Sequence, residues 1–299
     1  NYKMTVINTN TAATLTANAL TKNERAMSQT MERLSTGSRI NSASDDAAGL
    51  AISSKMTSQI NGLNMAVRNA NDGISMVQTA DGALVEVANM LQRMRELAVQ
   101  AASDTNTATD RDSLDLEFEA LTDEIDRIGE TTQFNGTLLL DGSLGAITFQ
   151  VGANASQTIG VTFGSVDTDT GEGNSLGLMN ALDTVGLGNG TDDTDKDLDF
   201  SDLQDKTNAS LAITRVDNAI TQLNEHRATL GATINRLEYA ADNLANVSQN
   251  ASASRSRILD ADYAAETTEL ARTQIIQQAG TAMLSQANQQ AQSVLALLK

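Results

Sequence analysis

Few residues in this chain are of a type that could do chemistry. His226 is the single histidine among 299 residues, and there is no cysteine. An imidazole works as a general base only where a nucleophile and an orienting acid meet it in space. His226 follows Glu225 inside a helical pattern with no distinctive Ser/Asp arrangement around it, so it reads as a surface or groove histidine. One histidine cannot supply H-E-x-x-H. Without thiolates there is no disulfide framework, no thiolate nucleophile and no Cys-built zinc site. The run Asp192-Asp193-Thr194-Asp195-Lys196-Asp197 invites a calcium loop, but counting from Asp193 the pattern needs Gly at 198 and Glu at 204, where the chain has Leu198 and Gln204. It reads as a solvated loop. Gly186-Leu187-Gly188-Asn189-Gly190 lacks both a preceding strand and the G-K-[ST] of a phosphate loop. The carboxylates between 112 and 126 fall on the outer face of an amphipathic helix, where charge is ordinary. No catalytic, cofactor-binding or metal site is expected.

Composition narrows the class further. Proline and tryptophan are absent, and aromatics amount to five Phe and three Tyr. Lys+Arg number 20 against 38 Asp+Glu, a net charge of −18 that makes nucleic acid or an anionic membrane an unexpected partner. No apolar run approaches the ~18 residues that span a bilayer. The opening Asn1-Tyr2-Lys3-Met4-Thr5 has no apolar stretch of the secretory-signal kind. The charge is segregated: residues 1–40 carry five bases and two acids, and 255–299 are neutral. Residues 41–140 and 141–206 each carry −10. Slightly basic ends and an acidic interior suit an assembly that packs its ends together and keeps its outside soluble.

The elements that would carry these residues are set by periodicity. Met56, Leu63, Ala70, Val77, Leu84, Leu91 and Ala98 recur every seven residues, with Ile60, Val67, Ile74, Val87 and Met94 between them. Such 3,4 alternation marks helices packed along a long seam. It predicts a helix over roughly 44–102, started by Ser44-Asp45-Asp46. Gly49, Gly62, Gly73 and Gly82 within it are tolerable only where helices approach closely or where it breaks. Leu114, Phe118, Leu121, Ile125 and Ile128 give a second helix with Gly129 placed to stop it. A third covers roughly 208–250, with Arg227 in a seam slot that suggests a polar register point or contact with an acid on a partner helix. Ile147/Phe149/Val151 and Ile159/Val161/Phe163 alternate, predicting a β-hairpin, and Ser165–Lys206 reads as irregular. The fold class expected is mainly α: an elongated helical bundle or coiled-coil rod with a small β-hairpin region and a short irregular outer insertion.

The ends repeat the pattern. Val6, Ala13, Leu20, Met27 and Leu34 are spaced by seven, and Ile276, Met283, Leu284, Val294 and Leu298 belong to two apolar stripes near the other end. Helices apolar on two sides need two sets of neighbours. These ten residues are therefore expected contacts between subunits, with the ends ordered only on assembly. Met90, Leu97 and Ala101 form a further stripe bordered by Arg93 and Glu96, expected to be an exposed contact face; its alternative is a wider core-facing band.

At this point specific motifs carry a family resemblance. Arg33-Leu34-Ser35-Thr36-Gly37-Ser38-Arg39-Ile40-Asn41-Ser42-Ala43-Ser44-Asp45-Asp46-Ala47-Ala48-Gly49-Leu50-Ala51-Ile52 resembles bacterial flagellin. So do Gln92–Gln100, Thr132-Gln133-Phe134-Asn135-Gly136 and Ser256-Arg257-Ile258-Leu259-Asp260-Ala261-Asp262-Tyr263. The resemblance implies a non-enzymatic subunit that polymerises with itself into the extracellular flagellar filament for swimming motility. It implies export in an unfolded state through the flagellar type III apparatus, with an export chaperone, cap and junction proteins as partners. It implies a terminal inner-core domain from 1–44 and 254–299, a helical rod domain from 45–178 and 206–253, and a short variable insertion at 179–205. It also implies recognition of the monomer by the vertebrate Toll-like receptor for flagellin, an innate immune receptor, through positions matching Arg93, Leu97 and Glu117, on the face that includes Met90. The alternative within the same architecture is a hook–filament junction protein. Abundance in sheared surface material separates the two.

Overall fold

The computed structural model describes residues 10–166, 203 and 206–296. Five helices and two strand pairs occur among them. Asn10 caps α1 (Thr11–Thr36) by accepting the Ala13 N–H, and Gly37 closes it at φ +71°, donating to Arg33 O. The residue that makes such a closure takes the left-handed conformation that glycine adopts without strain. α2 runs unbroken from Ala47 to Ala101. α3 (Ala108–Thr131) opens on a reciprocal Thr107/Asp110 capping box. α4 (Lys206–Leu259) and α5 (Tyr263–Ala296) follow the strands. β1 (Gln133–Phe134) pairs with β2 (Thr137–Leu138), and β3 (Ala146–Gln150) with β4 (Thr158–Thr162), both antiparallel. Asn135 and Gly136, both at positive φ, form the β1–β2 turn that twisted two-residue hairpins require.

Several expectations need correction. Gly129 does not stop α3: it is buried in the last turn, and the stop is Thr132, extended, with its N–H and hydroxyl both donating to Ile128 O. α4 continues past 250 to Leu259, because no Gly or Pro lies between Gly231 and that point. At Gly62 and Gly73 the close neighbour is the β3–β4 hairpin rather than a helix. A Cβ at Gly73 would stand 3.1 Å from the Phe149 ring, and one at Gly62 would stand 3.2 Å from Ala153 Cβ. The region read as irregular, Ser165–Lys206, lies largely outside the described residues.

The chain divides into two compact units, Asn1–Ile60 with Gln249–Lys299, and Asn61–Ser248. In the second unit the heptad residues Leu63, Ala70, Val77, Leu84, Leu91 and Ala98 are all buried. Val77, Leu84, Leu91 and Ala98 pack with Phe118 and Ile125 of α3, Val161 and Phe163 of the hairpin section, and Val216, Leu223 and Leu230 of α4. Ala70 instead clusters with Ile159, Leu237 and Ala241, and Leu63 with Ala66 and Leu244. α2 and α4 run antiparallel, with Asn64 bonded to Ser248, Asp81 to Arg227 and Asp217 to Arg95. The acid expected opposite Arg227 is thus Asp81, at 2.8 Å.

In the first unit, α1 and α5 pair antiparallel: Asn10 Nδ2 donates to Ala287 O, and Tyr263 Oη to Leu34 O. A short backbone clasp joins their inner ends. Arg39 N–H donates to Leu259 O, Ala261 N–H donates to Gly37 O, and the Arg39 guanidinium donates to Ile258 O. Asp46 then starts α2, its Oδ1 accepting the Gly49 N–H at 2.8 Å. A Cβ at Gly49 would meet Asp46 Oδ2 at 2.5 Å and Ile40 Cδ1 at 2.7 Å, so the cap and the buried Ile40 compete for that space. Gly49→Ala is expected to destabilise this unit by on the order of 1 kcal/mol, the overpacking outweighing the better helix propensity of alanine. Hydrogen exchange over 40–50 is the readout, and unchanged protection there would contradict it.

Candidate functional site

Between α1 and α5 the contacts are unusually polar. Asn23, buried, donates through Nδ2 to Thr273 O at 2.8 Å and to Gln277 Oε1 at 3.2 Å. Arg33 and Glu266 form an ion pair at 3.1 Å, largely shielded from water. Large apolar side chains instead point outward: Leu15 is 72% exposed, Ile275 66% and Met283 60%, with Met31, Ile276 and Tyr263 also exposed. A helix pair that buries polar groups and exposes apolar ones has the surface distribution of a part, not of a finished fold.

The expected inter-subunit residues divide in two. Ile276 and Met283 lie on the outward surface. Ala13, Leu20, Met27, Leu34 and Leu284 are half-buried, and a Cβ at Gly280 would lie 3.1 Å from Leu20 Cδ1. Val6 and Leu298 lie outside the described residues, as does the side chain of Val294. Leu15, Met31 and Ile275 escaped the sequence reading because they fall off the heptad series used to find the others. Their signal was present as apolar residues on otherwise polar helix faces.

In the second unit, Arg93 bridges Glu96 and Glu117, each at 2.9 Å. The hydrogen bond that the Arg93 guanidinium donates to Glu117, then that to Glu96, raises its pKa above the ordinary value. The stripe expected beside it is not an exposed face. Leu97 is 1% exposed and Ala101 fully buried, both in the central core, and Met90 packs half-buried against it. α2 has α3, α4 and the hairpin around it, so its buried arc is wide and takes in this stripe. The core-band alternative is the correct one. What remains at the surface is Arg93, Glu96 and Glu117, with Val99 and Leu116 exposed nearby in the sequence.

His226 is buried, not a surface histidine, and its Nε2 has no hydrogen-bond partner among the described residues. Desolvation lowers its pKa from the ordinary value. The unfolded chain therefore takes up the proton first as pH falls, so this residue's stability contribution is complete above about pH 6.5 and is lost below it. The melting temperature is expected to fall between pH 7.5 and pH 5 by more in the native sequence than in His226→Leu. An equal fall in both would contradict the assignment.

The chain matches known protein families over most of its length. The bacterial flagellin N-terminal helical region matches residues 7–144, and the C-terminal helical region matches 213–298. A flagellin of Bacillus subtilis is 47% identical over 98% of this chain and 99% of its own. The chain belongs to the bacterial flagellin family. A flagellin of Halalkalibacterium halodurans is 48% identical over 90% of each chain. A Bacillus cereus flagellin crystal structure is 36% identical, covering 59% of this chain and 88% of its own at a TM-score of 0.45. Flagellins are structural proteins, not enzymes; they polymerise with themselves as the subunits of the extracellular flagellar filament. The outward apolar surface of α1 and α5 is accordingly the candidate assembly surface of this flagellin.

Proposed function

We propose that the α1–α5 pair is the polymerising part of this filament subunit, and that it becomes fully ordered only when other copies cover it. The observation that carries the reading is the exposure of Leu15, Met31, Ile275, Ile276 and Met283 around a polar seam. Val6, Ala13, Leu20, Met27, Leu34, Leu284, Val294 and Leu298, which belong to the apolar series of the sequence, are proposed to join the contact between copies. In this reading 1–44 and 254–299 form the inner core of the filament, 45–178 and 206–253 a helical rod, and 179–205 a short solvent-facing insertion. Elongation of filament seeds by the purified chain tests it; a chain that stays monomeric with seeds present refutes it.

Export is proposed to occur unfolded through the flagellar type III apparatus, assisted by an export chaperone and followed by contact with cap and junction proteins. The absence of Pro supports fast refolding on exit, since no X-Pro isomerisation intervenes. The absence of Cys removes crosslinking during transit. Recognition of the monomer by the vertebrate Toll-like receptor for flagellin is proposed to run through the exposed Arg93–Glu117 pair, with Leu97 acting from beneath by holding α2 in place. Arg93→Ala is expected to weaken receptor binding while leaving the helical content unchanged. Binding at native strength would exclude this contact.

A further inference from the structure

We propose that Asp115 is the positioning residue for the chain's return into the helical core ahead of α4. The family matches end at 144 and resume at 213, so the section between them lies outside both matched regions. Val161, Phe163, Val166, Leu203, Ala209 and Ala212 of this section belong to the central core, and the return ahead of α4 turns on two of them. Val166 is buried and its N–H donates to Leu140 O at 2.9 Å. Leu203 is fully buried, and its N–H donates to Asp115 Oδ1 at 2.8 Å. Leu203 precedes the first turn of α4, so neither that helix nor a strand offers its N–H a partner there. A buried N–H left unpaired is costly, and a carboxylate is the strongest acceptor a side chain provides. Asp115 itself is only 9% exposed on α3, and a buried carboxylate persists only where hydrogen bonds offset its lost hydration.

The arrangement lets α3, inside the matched part of the chain, fix where α4 begins. What lies between Val166 and Leu203 can then vary in length and composition while both of its ends stay seated in the same core. This inference concerns the architecture of the single chain and stands apart from the assembly reading. Residue-by-residue amide exchange on the full chain tests it by NMR. In the native sequence the Leu203 amide is expected to exchange as slowly as that of Val166; rapid exchange at Leu203 alone overturns the proposal without any variant. Asp115→Ala should speed Leu203 exchange about tenfold or more, with the first turn of α4 following and Ile125 unchanged. Asp115→Asn, which keeps an acceptor oxygen, should retain most of the protection. Native exchange at Leu203 in the alanine variant overturns the assignment. So does equal loosening of all of α3 in both variants, which would mean that Asp115 only supports its own helix.

Discussion

Leu97→Ala is expected to lower the stability of the Asn61–Ser248 unit by about 2–5 kcal/mol, the usual range for a fully buried leucine. Leu97 is 1% exposed, and it shares a core with Leu91, Met94, Phe118 and Val216. Truncation removes its transfer free energy and leaves a cavity that helices on several sides cannot easily close. Arg93→Ala is the control: it lies four residues away on the same helix, is half exposed, and should leave the unfolding midpoint nearly unchanged. Chemical denaturation of both variants separates the readings. If Leu97→Ala unfolds at the native midpoint, the side chain is a surface residue after all. If both variants lose receptor binding but only Leu97→Ala loses stability, Arg93 is the contact and Leu97 its support.

Deleting residues 276–299 is expected to abolish filament elongation. The cut removes Ile276 and Met283 from the outward apolar surface, and Gln277, the acceptor for Asn23, from the seam of the pair. It also removes the far part of α5, including the Ala287 carbonyl that accepts from Asn10. Short helices gain their stability from packing, so the shortened α5 should no longer hold α1. The core around Leu84, Phe118 and Leu223 contains no residue of the deleted stretch, and its cooperative unfolding should persist. Growth of seeds by the truncated chain at the native rate would show that these stripes are dispensable.

How much of this was legible beforehand follows from the range of each signal. A seven-residue repeat is local, and it located α2, α3 and the middle of α4 without any knowledge of partners. Alternation over five residues located β3 and β4 in the same way. The width of a buried arc is not local. Leu97 and Leu91 differ in register along α2, yet both are buried because neighbours surround the helix on more than one side. His226 and Arg227 are adjacent, about 100° apart on a helix; the seam pattern placed Arg227 correctly against Asp81 but did not reach His226, which is buried as well. Helix ends were less accurate, since Thr132 rather than Gly129 supplied the stop. The Asp115–Leu203 bond joins residues 88 apart in sequence, a distance over which a single chain carries no pairing signal. At the ends, apolar stripes were visible, but the polar seam between α1 and α5 was not, because Asn23, Thr273 and Gln277 look like ordinary helix-surface residues.

The most direct test of the account is a cryo-EM map of filaments grown from the purified chain. It should show Leu15, Met31, Ile275 and Met283, exposed in the single chain, buried against other copies. A filament in which these four side chains face solvent would contradict it.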